Sequence, residues 1–500
     1  MHNIIEQSLA ELRQIVHDLG TKGGLVSPSI YDSAQVLRLY PPADCRPGLD
    51  WLLQQQRADC GWGDPAMPHA RDVPTLSAML ALKARDSRPA ARAAIAAGCT
   101  FLRDHADCWR GVLPDTLPVG AELILPYLLE EAVQAGLDIS PEPYATLIAF
   151  GSKRRARLRQ MQIRGGSTHA HSWESFGTNP EPGLIDGSGS VSHNPAATAA
   201  WLQAGSATAA NPDLRAAAQS YLERCCAATG LNIPGVVPGV WPLVRFEQAF
   251  VLYILFIAGL LDHPALRDVV HNQLMDLLPA IQSVGLGLSD HFAADGDDTA
   301  AALLVLKAAG FSVKLSPLAH FANENHFYGY KGELHGSVSL TARCISTLEH
   351  FRGDGGDPAP YLQYVLDRQR PDGRWDHDKW HSSWIYTTLH AVLALYDIGG
   401  HEAAIQRATE VLLSYQKPSG SWGSQEETAY GILTLRTARR AIPCERIDTA
   451  LARAEHWMCA CHPDSDAAAG WIGKELYRPY RIVRAVELAA TIPVAPEYLS

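Results

Sequence analysis

The sequence holds no apolar run long enough to cross a bilayer. The longest, FVLYILFIAGLL (Phe250 to Leu261), has about 12 residues against the ~20 that a membrane helix needs. It reads as a core helix, and no stable membrane insertion is expected. The amino-terminal MHNIIEQSLAELRQIVHDLG lacks the basic start, apolar stretch and small-residue cleavage site of a secretory leader. Cationic excess is missing too. With 42 Lys+Arg against 53 Asp+Glu the formal net charge is −11, which argues against a nucleic-acid binder and leaves room for a local basic pocket. None of the ten cysteines forms a CxxC pair. Cys225-Cys226 and Cys459/Cys461 are close without metal-ligand spacing, so free thiols in a reducing cytoplasm are expected. The 12-residue calcium-loop pattern is also absent.

Period-two alternation is scarce, and helical signals fill the space. Ala90 to Leu102, Ala196 to Ala210 and Ala300 to Ala309 have helix-forming composition and helical apolar spacing. Frequent Pro/Gly punctuation predicts many short helices joined by turns. The stretch from Gly165 to Asn194, rich in Gly, Ser, Asn and Pro with embedded His and Trp, reads as a long loop covering a site. A weak repeat also recurs. QRADCGWG (Gln56 to Gly63), QRPDGRW (Gln369 to Trp375) and QKPSGSWG (Gln416 to Gly423) share Gln and Trp six positions apart. Each Gln can bond the free backbone groups of a neighbouring helix end while its Trp packs nearby. That is a structural role, and these glutamines are not catalytic candidates.

The chemistry concentrates in HFAADGDDTA, where Asp295, Asp297 and Asp298 stand beside alanines and the helical run AALLVLKAAG. Carboxylates at a helix N-terminus are unremarkable by themselves. Three within one turn cannot all ionise cheaply, and burial raises the proton affinity further. A buried, protonated member of such a set is a general acid strong enough for a carbon–carbon double bond. The resulting carbocation needs shielding from water and aromatic faces. Trp173, Trp241, Trp380, Tyr386 and Trp422 are the candidates for an aromatic chamber.

DGDDTA resembles the D-x-D-D motif of class II terpene cyclases, and the Gln–Trp repeats resemble the QW motifs of the same superfamily, which includes the squalene–hopene cyclases. SPSIYDSAQVLRL, VGAELILP, HSWESFGT, VVPGVWP, RWDHDKWHSSWIYTT, EETAY and WIGKELYRPYRIVR are similar to segments of the bacterial diterpene branch, especially copalyl diphosphate synthases. The resemblance spans nearly the full chain and implies an all-α fold of two α-helical double-barrel domains. Residues 1–25 and 280–500 would form the domain carrying the acid, with 26–279 inserted as the second. It implies Asp297 as general acid, tuned by Asp295 and Asp298. Glu122 would accompany Mg²⁺, and Lys379, Lys474 and Arg157 would bind a diphosphate. His171 would hold the water that ends the reaction or take the last proton. Thr341 stands where relatives carry an acid-orienting Asn, Arg343 where they often carry His, and Gly239 where ent-copalyl synthases carry the Asn that partners His171.

The resemblance implies a cytoplasmic isomerase that cyclises geranylgeranyl diphosphate to a copalyl-type bicyclic diphosphate. A separate class I synthase would consume it, because D-D-x-x-D and N-S-E-like metal motifs are lacking here. The alternatives are a kolavenyl, halimadienyl or hydroxylated labdane diphosphate, a drimenyl product from farnesyl diphosphate, a squalene–hopene-type reaction, and a non-catalytic prenyl-binding or scaffold protein.

Overall fold

The alanine-rich segments become helices Pro89–His105, Pro195–Ala204 and Gly296–Ala308. The computed structural model describes residues 2–114, 117–205, 211–331, 333, 335–376, 378–461 and 469–493. Positions 206–210, the end of one expected helix, lie outside them. Among the described residues are 19 α-helices, and the only sheets are two antiparallel two-residue ladders. The expected all-α fold is therefore found.

The three Gln–Trp repeats close three copies of one clamp. The side-chain amides of Gln56, Gln369 and Gln416 donate to the carbonyls of Cys60, Gly373 and Gly420 at 2.8, 2.8 and 2.9 Å. Each also donates to a carbonyl in a later helix, Ala94, Ala404 or Ala450, at 3.0, 2.8 and 2.9 Å. The indole N–H groups of Trp62, Trp375 and Trp422 donate to Leu52, Val365 and Leu412, in the helix just before each turn. Each clamp satisfies carbonyls that would otherwise be buried without donors.

Apolar packing divides the chain near residue 243. One core unites Leu12 and Val16 of helix His2–Asp18, and Leu19 just after it, with Phe250 and Leu255, Leu304, Leu389, Leu435 and Leu488. Two further cores, spanning residues 31 to 241, hold the intervening segment together. The expectation put the boundary at 279/280, and apolar packing groups helices Val244–Ile257 and Arg267–Leu277 with the carboxy-terminal body. Helix Val244–Ile257 carries most of the apolar run read as a core helix and packs against helices His2–Asp18, Gly296–Ala308 and Tyr480–Thr491, while helix Arg267–Leu277 packs on His2–Asp18. The amino-terminal helix shares the carboxy-terminal core.

Candidate active site

The acid motif is built on a hairpin and a helix start. Strands Leu286–Gly287 and Ala294–Asp295 pair antiparallel, with Leu286 opposite Asp295. Asp295 then caps helix Gly296–Ala308, its Oδ1 accepting the Asp298 amide at 2.8 Å. Gly296 is required where it stands, because a Cβ there would lie 2.5 Å from the Tyr328 carbonyl oxygen. The Thr299 hydroxyl accepts the Leu286 amide at 2.9 Å, locking hairpin to helix.

All three carboxyls are brought together, and they are short of donors. Asp295 Oδ2 and both oxygens of Asp298 are buried without hydrogen-bond partners. Burial, reinforced by the neighbouring carboxylates, raises Asp295 well above the ordinary range. Asp298 is pushed up to about 8, chiefly by burial. Asp297 is pushed up to about 6 by burial, against the pull of Arg343.

Arg343 is the residue that sequence reasoning noted only as a departure. Its Nη1 donates to Asp297 Oδ1. Its Nη2 reaches the Tyr386 hydroxyl at 3.0 Å and His390 Nε2 at 3.2 Å. The guanidinium lies 4.8 Å from the ring centres of both Phe250 and Tyr253. Burial and Arg343 hold His390 neutral, so its Nδ1–H faces the Tyr253 oxygen at 3.0 Å. Thr341 does not take the acid-orienting role expected of it. Its hydroxyl accepts the Phe327 amide at 3.2 Å, and the contact with the acid comes from Arg343, one half-turn further along the same helix.

Aromatic rings continue from this cluster. Tyr386 packs on Tyr430, Trp471 and, stacked at 4.3 Å, His381. Burial, with Asp295 and Asp298 close by, raises the Tyr330 hydroxyl above its ordinary range. From Tyr330, ring contacts of 6.3 Å run to Trp380 and to Phe292, and one of 6.1 Å runs from Phe292 to His171. Trp380 and Tyr386 are thus members of these ring contacts. Trp173 and Trp241 instead pack into an apolar core of the 31–241 segment, and Trp422 is the anchor of the third clamp. Tyr253, Tyr330 and Trp471, which stand in the ring contacts and the cation contact around Arg343, carry no local sequence pattern that singles them out.

The loop from Gly165 to Asn194 does cover the acid segment. The Ala293 amide donates to Gly166 O at 2.7 Å, and Gly187 packs on the His291 ring. Within it, His171 Nδ1 is 3.0 Å from the Ser192 carbonyl, so Nδ1 carries the hydrogen and Nε2 keeps its lone pair. Burial, with Lys474 adding to it, lowers His171 to about 3, so the ring is neutral.

The expected anion-binding cations have carboxylate partners or face solvent. Lys474 is buried, 2.6 Å from Glu174 and 4.0 Å from Asp32. Lys379 pairs with Glu333 and donates to the His335 carbonyl at 3.0 Å. Arg157 is exposed on helix Ala145–Leu158, close enough to depress His169 together with Arg154. Glu122 is engaged by Arg154. A single carboxylate held by a guanidinium does not fit a resident Mg²⁺ site, which draws on oxygen donors free to coordinate. Among the described residues no group of ligands converges on Glu122.

Comparison with known proteins gives a consistent picture. Residues 333–452 match the family described as "Squalene-hopene cyclase C-terminal domain". The chain is 41% identical to (+)-kolavenyl diphosphate synthase of Herpetosiphon aurantiacus, covering 99% of both chains. It is 30% identical to ent-copalyl diphosphate synthase of a Streptomyces species, covering 97% of this chain and 96% of the other. The solved structure of ent-copalyl diphosphate synthase from Streptomyces platensis superposes with a TM-score of 0.81 at 30% identity, covering 97% of this chain and 99% of that one.

Proposed function

The chain belongs to the bacterial class II diterpene cyclases, and from that membership we propose that it cyclises geranylgeranyl diphosphate to a bicyclic diphosphate by protonation. The observation that carries this reading is the pair of part-buried Asp297 with buried Arg343 beside two donor-poor carboxyls. Asp297 gives its proton to the terminal alkene of the folded substrate. The carboxylate left behind is stabilised by the guanidinium, which stays charged throughout. Arg343 is therefore a positioning residue that strengthens the acid at the cost of a smaller protonated fraction. Asp295 and Asp298, held neutral, add no negative charge that would oppose ionisation of Asp297.

Two ring closures move the positive charge along the chain. The faces of Tyr330, Tyr386, Trp380 and Trp471 supply the π density that stabilises it. His171, neutral with a free Nε2 lone pair, accepts the last proton directly or through a held water. The diphosphate is retained, with Lys474, Lys379 and Arg157 as candidate cations. The first two must exchange a carboxylate partner for phosphate oxygens. No step is routed through Mg²⁺.

A kolavenyl-type product, in which the bicyclic cation rearranges before proton loss, is favoured over an unrearranged copalyl one. The full-length identity to the kolavenyl enzyme is 41%, against 30% for the ent-copalyl enzyme. Gly239 also removes the side chain that ent-copalyl synthases would pair with His171. A class I synthase is the proposed consumer of the product, and the cytoplasm the proposed location.

The test is incubation of purified protein with geranylgeranyl or farnesyl diphosphate, with and without Mg²⁺. Products are dephosphorylated and identified by mass spectrometry and NMR, with Asp297→Ala as control. A bicyclic C20 alcohol absent from the control supports the reading, and its skeleton decides between kolavenyl and copalyl types. A product from farnesyl diphosphate alone moves the assignment to a drimane-forming enzyme. No product from either substrate overturns it.

A further inference from the structure

A second polar cluster lies well away from the aspartate motif, in a core of the 31–241 segment, and the cyclisation makes no use of it. Asp72 opens helix Asp72–Arg85, His105 ends helix Pro89–His105, and Cys108 sits in the 3₁₀ turn Ala106–Trp109. One ring nitrogen is the hub. His105 Nε2 is 3.4 Å from Asp72 Oδ2, 3.6 Å from Cys108 Sγ and 3.1 Å from the Pro68 carbonyl oxygen. The ligand atoms of Asp72, His105 and Cys108 all lie within 4.8 Å of one another.

That nitrogen can offer one hydrogen to three acceptors. If it goes to Pro68, the nearest, the Asp72 carboxylate is short of a donor. Asp72 is 0% exposed, and its Oδ2 has no hydrogen-bond partner. The Trp109 indole N–H approaches the same carboxylate but closes no bond. The other carboxylate oxygen accepts the Tyr144 hydroxyl at 2.7 Å, which fixes its orientation. His69 secures the turn from below, its Nε2 3.0 Å from the Cys108 carbonyl.

We propose that Asp72, His105 and Cys108 form a binding site for a zinc-class divalent ion, separate from the cyclisation site. A tetrahedral ion held at about 2.0–2.1 Å from nitrogen and oxygen and about 2.3 Å from sulfur keeps its ligands about 3.3–3.6 Å apart, which matches the spacing around His105 Nε2. One thiolate, one imidazole and one carboxylate suit zinc or cobalt and not magnesium or calcium. The Pro68 carbonyl or a water completes the fourth position. Binding releases the Cys108 thiol proton to solvent, and His105 moves its hydrogen to Nδ1, so affinity increases with pH. The ion would tie the turn after one helix to the start of another, with Tyr144 supporting the carboxylate from behind.

The experiment uses the full-length protein after chelation, titrated with Co²⁺ and followed by absorption. One equivalent is expected, with tetrahedral d–d bands and a thiolate-to-cobalt charge-transfer band that disappears in Cys108→Ser. Tyr144→Phe should weaken binding by about 10-fold. Independently of any variant, Zn²⁺ should slow alkylation of Cys108 in the wild-type protein and leave exposed Cys444 unaffected. Failure to bind one equivalent, a charge-transfer band that survives in Cys108→Ser, or an unchanged alkylation rate at Cys108 overturns the proposal.

Discussion

Two buried clusters of this protein each place three carboxyls around one cation, and they are wired differently. Around Lys474, the oxygens of Asp32 and Glu475 collect donors. Glu475 accepts the Ser29 hydroxyl and the Tyr31 amide, and Asp32 accepts Asn194 Nδ2 at 2.8 Å. Glu174 takes the Tyr31 hydroxyl at 2.7 Å and the Lys474 ammonium at 2.6 Å. Around Arg343, the cation bonds one carboxyl, and Asp298 receives no hydrogen bond on either oxygen. Donors fix a carboxylate in place. Their scarcity keeps a proton on the group and leaves it available for transfer. Burial raises carboxyls in both clusters, Glu475 to about 7 and Asp298 to about 8, so what separates them is how firmly donors tie the oxygens down.

The largest expected effect of breaking this contrast is Asp297→Ala, which should lower kcat by about 10³-fold or more while leaving the circular dichroism spectrum intact. The same change in the Lys474 cluster should act on stability. Lys474→Met strands Glu174 and Asp32 in the interior, costing about 3 kcal/mol. Lys474 lowers the proton affinity of Asp32, which burial holds at about 6. Without it that value rises further above the unfolded one. A raised carboxyl favours the folded state at low pH and loses that contribution as pH rises through the folded value. The variant's deficit in chemical denaturation should therefore grow from pH 5 to pH 8.

Arg343→Met sharpens the comparison from the acid side. Asp297 must be protonated to act and sits at about 6, so wild-type kcat should be level below pH 6 and fall about tenfold per unit above it. Removing the guanidinium raises the proton affinity of Asp297. The falling limb should move to higher pH while the maximal rate drops about 10–100-fold, because the carboxylate left after transfer is no longer stabilised. A purely structural role would lower the rate without moving the limb. The smallest effect is expected of Thr341→Val, which loses one bond to the Phe327 amide. It should cost about 1 kcal/mol of stability and leave the pH profile unchanged.

What could be read from the sequence follows how local each feature is. The aspartate motif is local, since three carboxyls in four positions carry their own electrostatic problem. The Gln–Trp clamps are local at one end, which is why the glutamine bonds were foreseeable although the receiving alanine carbonyls were not. The Arg343–Asp297 contact joins positions 46 residues apart. It exists because helices Gly296–Ala308 and Val338–His350 pack side by side, and nothing in SLTARCIST announces its partner. The domain boundary is hard to read for a related reason. The run from Phe250 to Leu261 reads correctly as buried, but its composition does not say in which core. Trp173, Trp241 and Trp422 were offered to the chamber on the same insufficient ground.

The packing of two helices far apart in sequence bears on how the molecule is made. Helix His2–Asp18 rests against helix Tyr480–Thr491, with Glu11 bridged to Arg484 at 2.6 Å and Ser8 to Thr491 at 3.0 Å. The earlier helix thus meets this partner only after all the residues between them have been made. At bacterial and eukaryotic elongation rates the interval is roughly half a minute to a minute and a half. During that time Leu12, Val16 and Leu19 lack a completed core, and Asp32 and Glu174 of the 31–241 segment still lack Lys474. Synthesis order therefore favours assembly of the inserted segment's apolar cores first, before its polar seam to the carboxy-terminal body. The acid-bearing body closes last, around a helix that has waited in solution or on a chaperone.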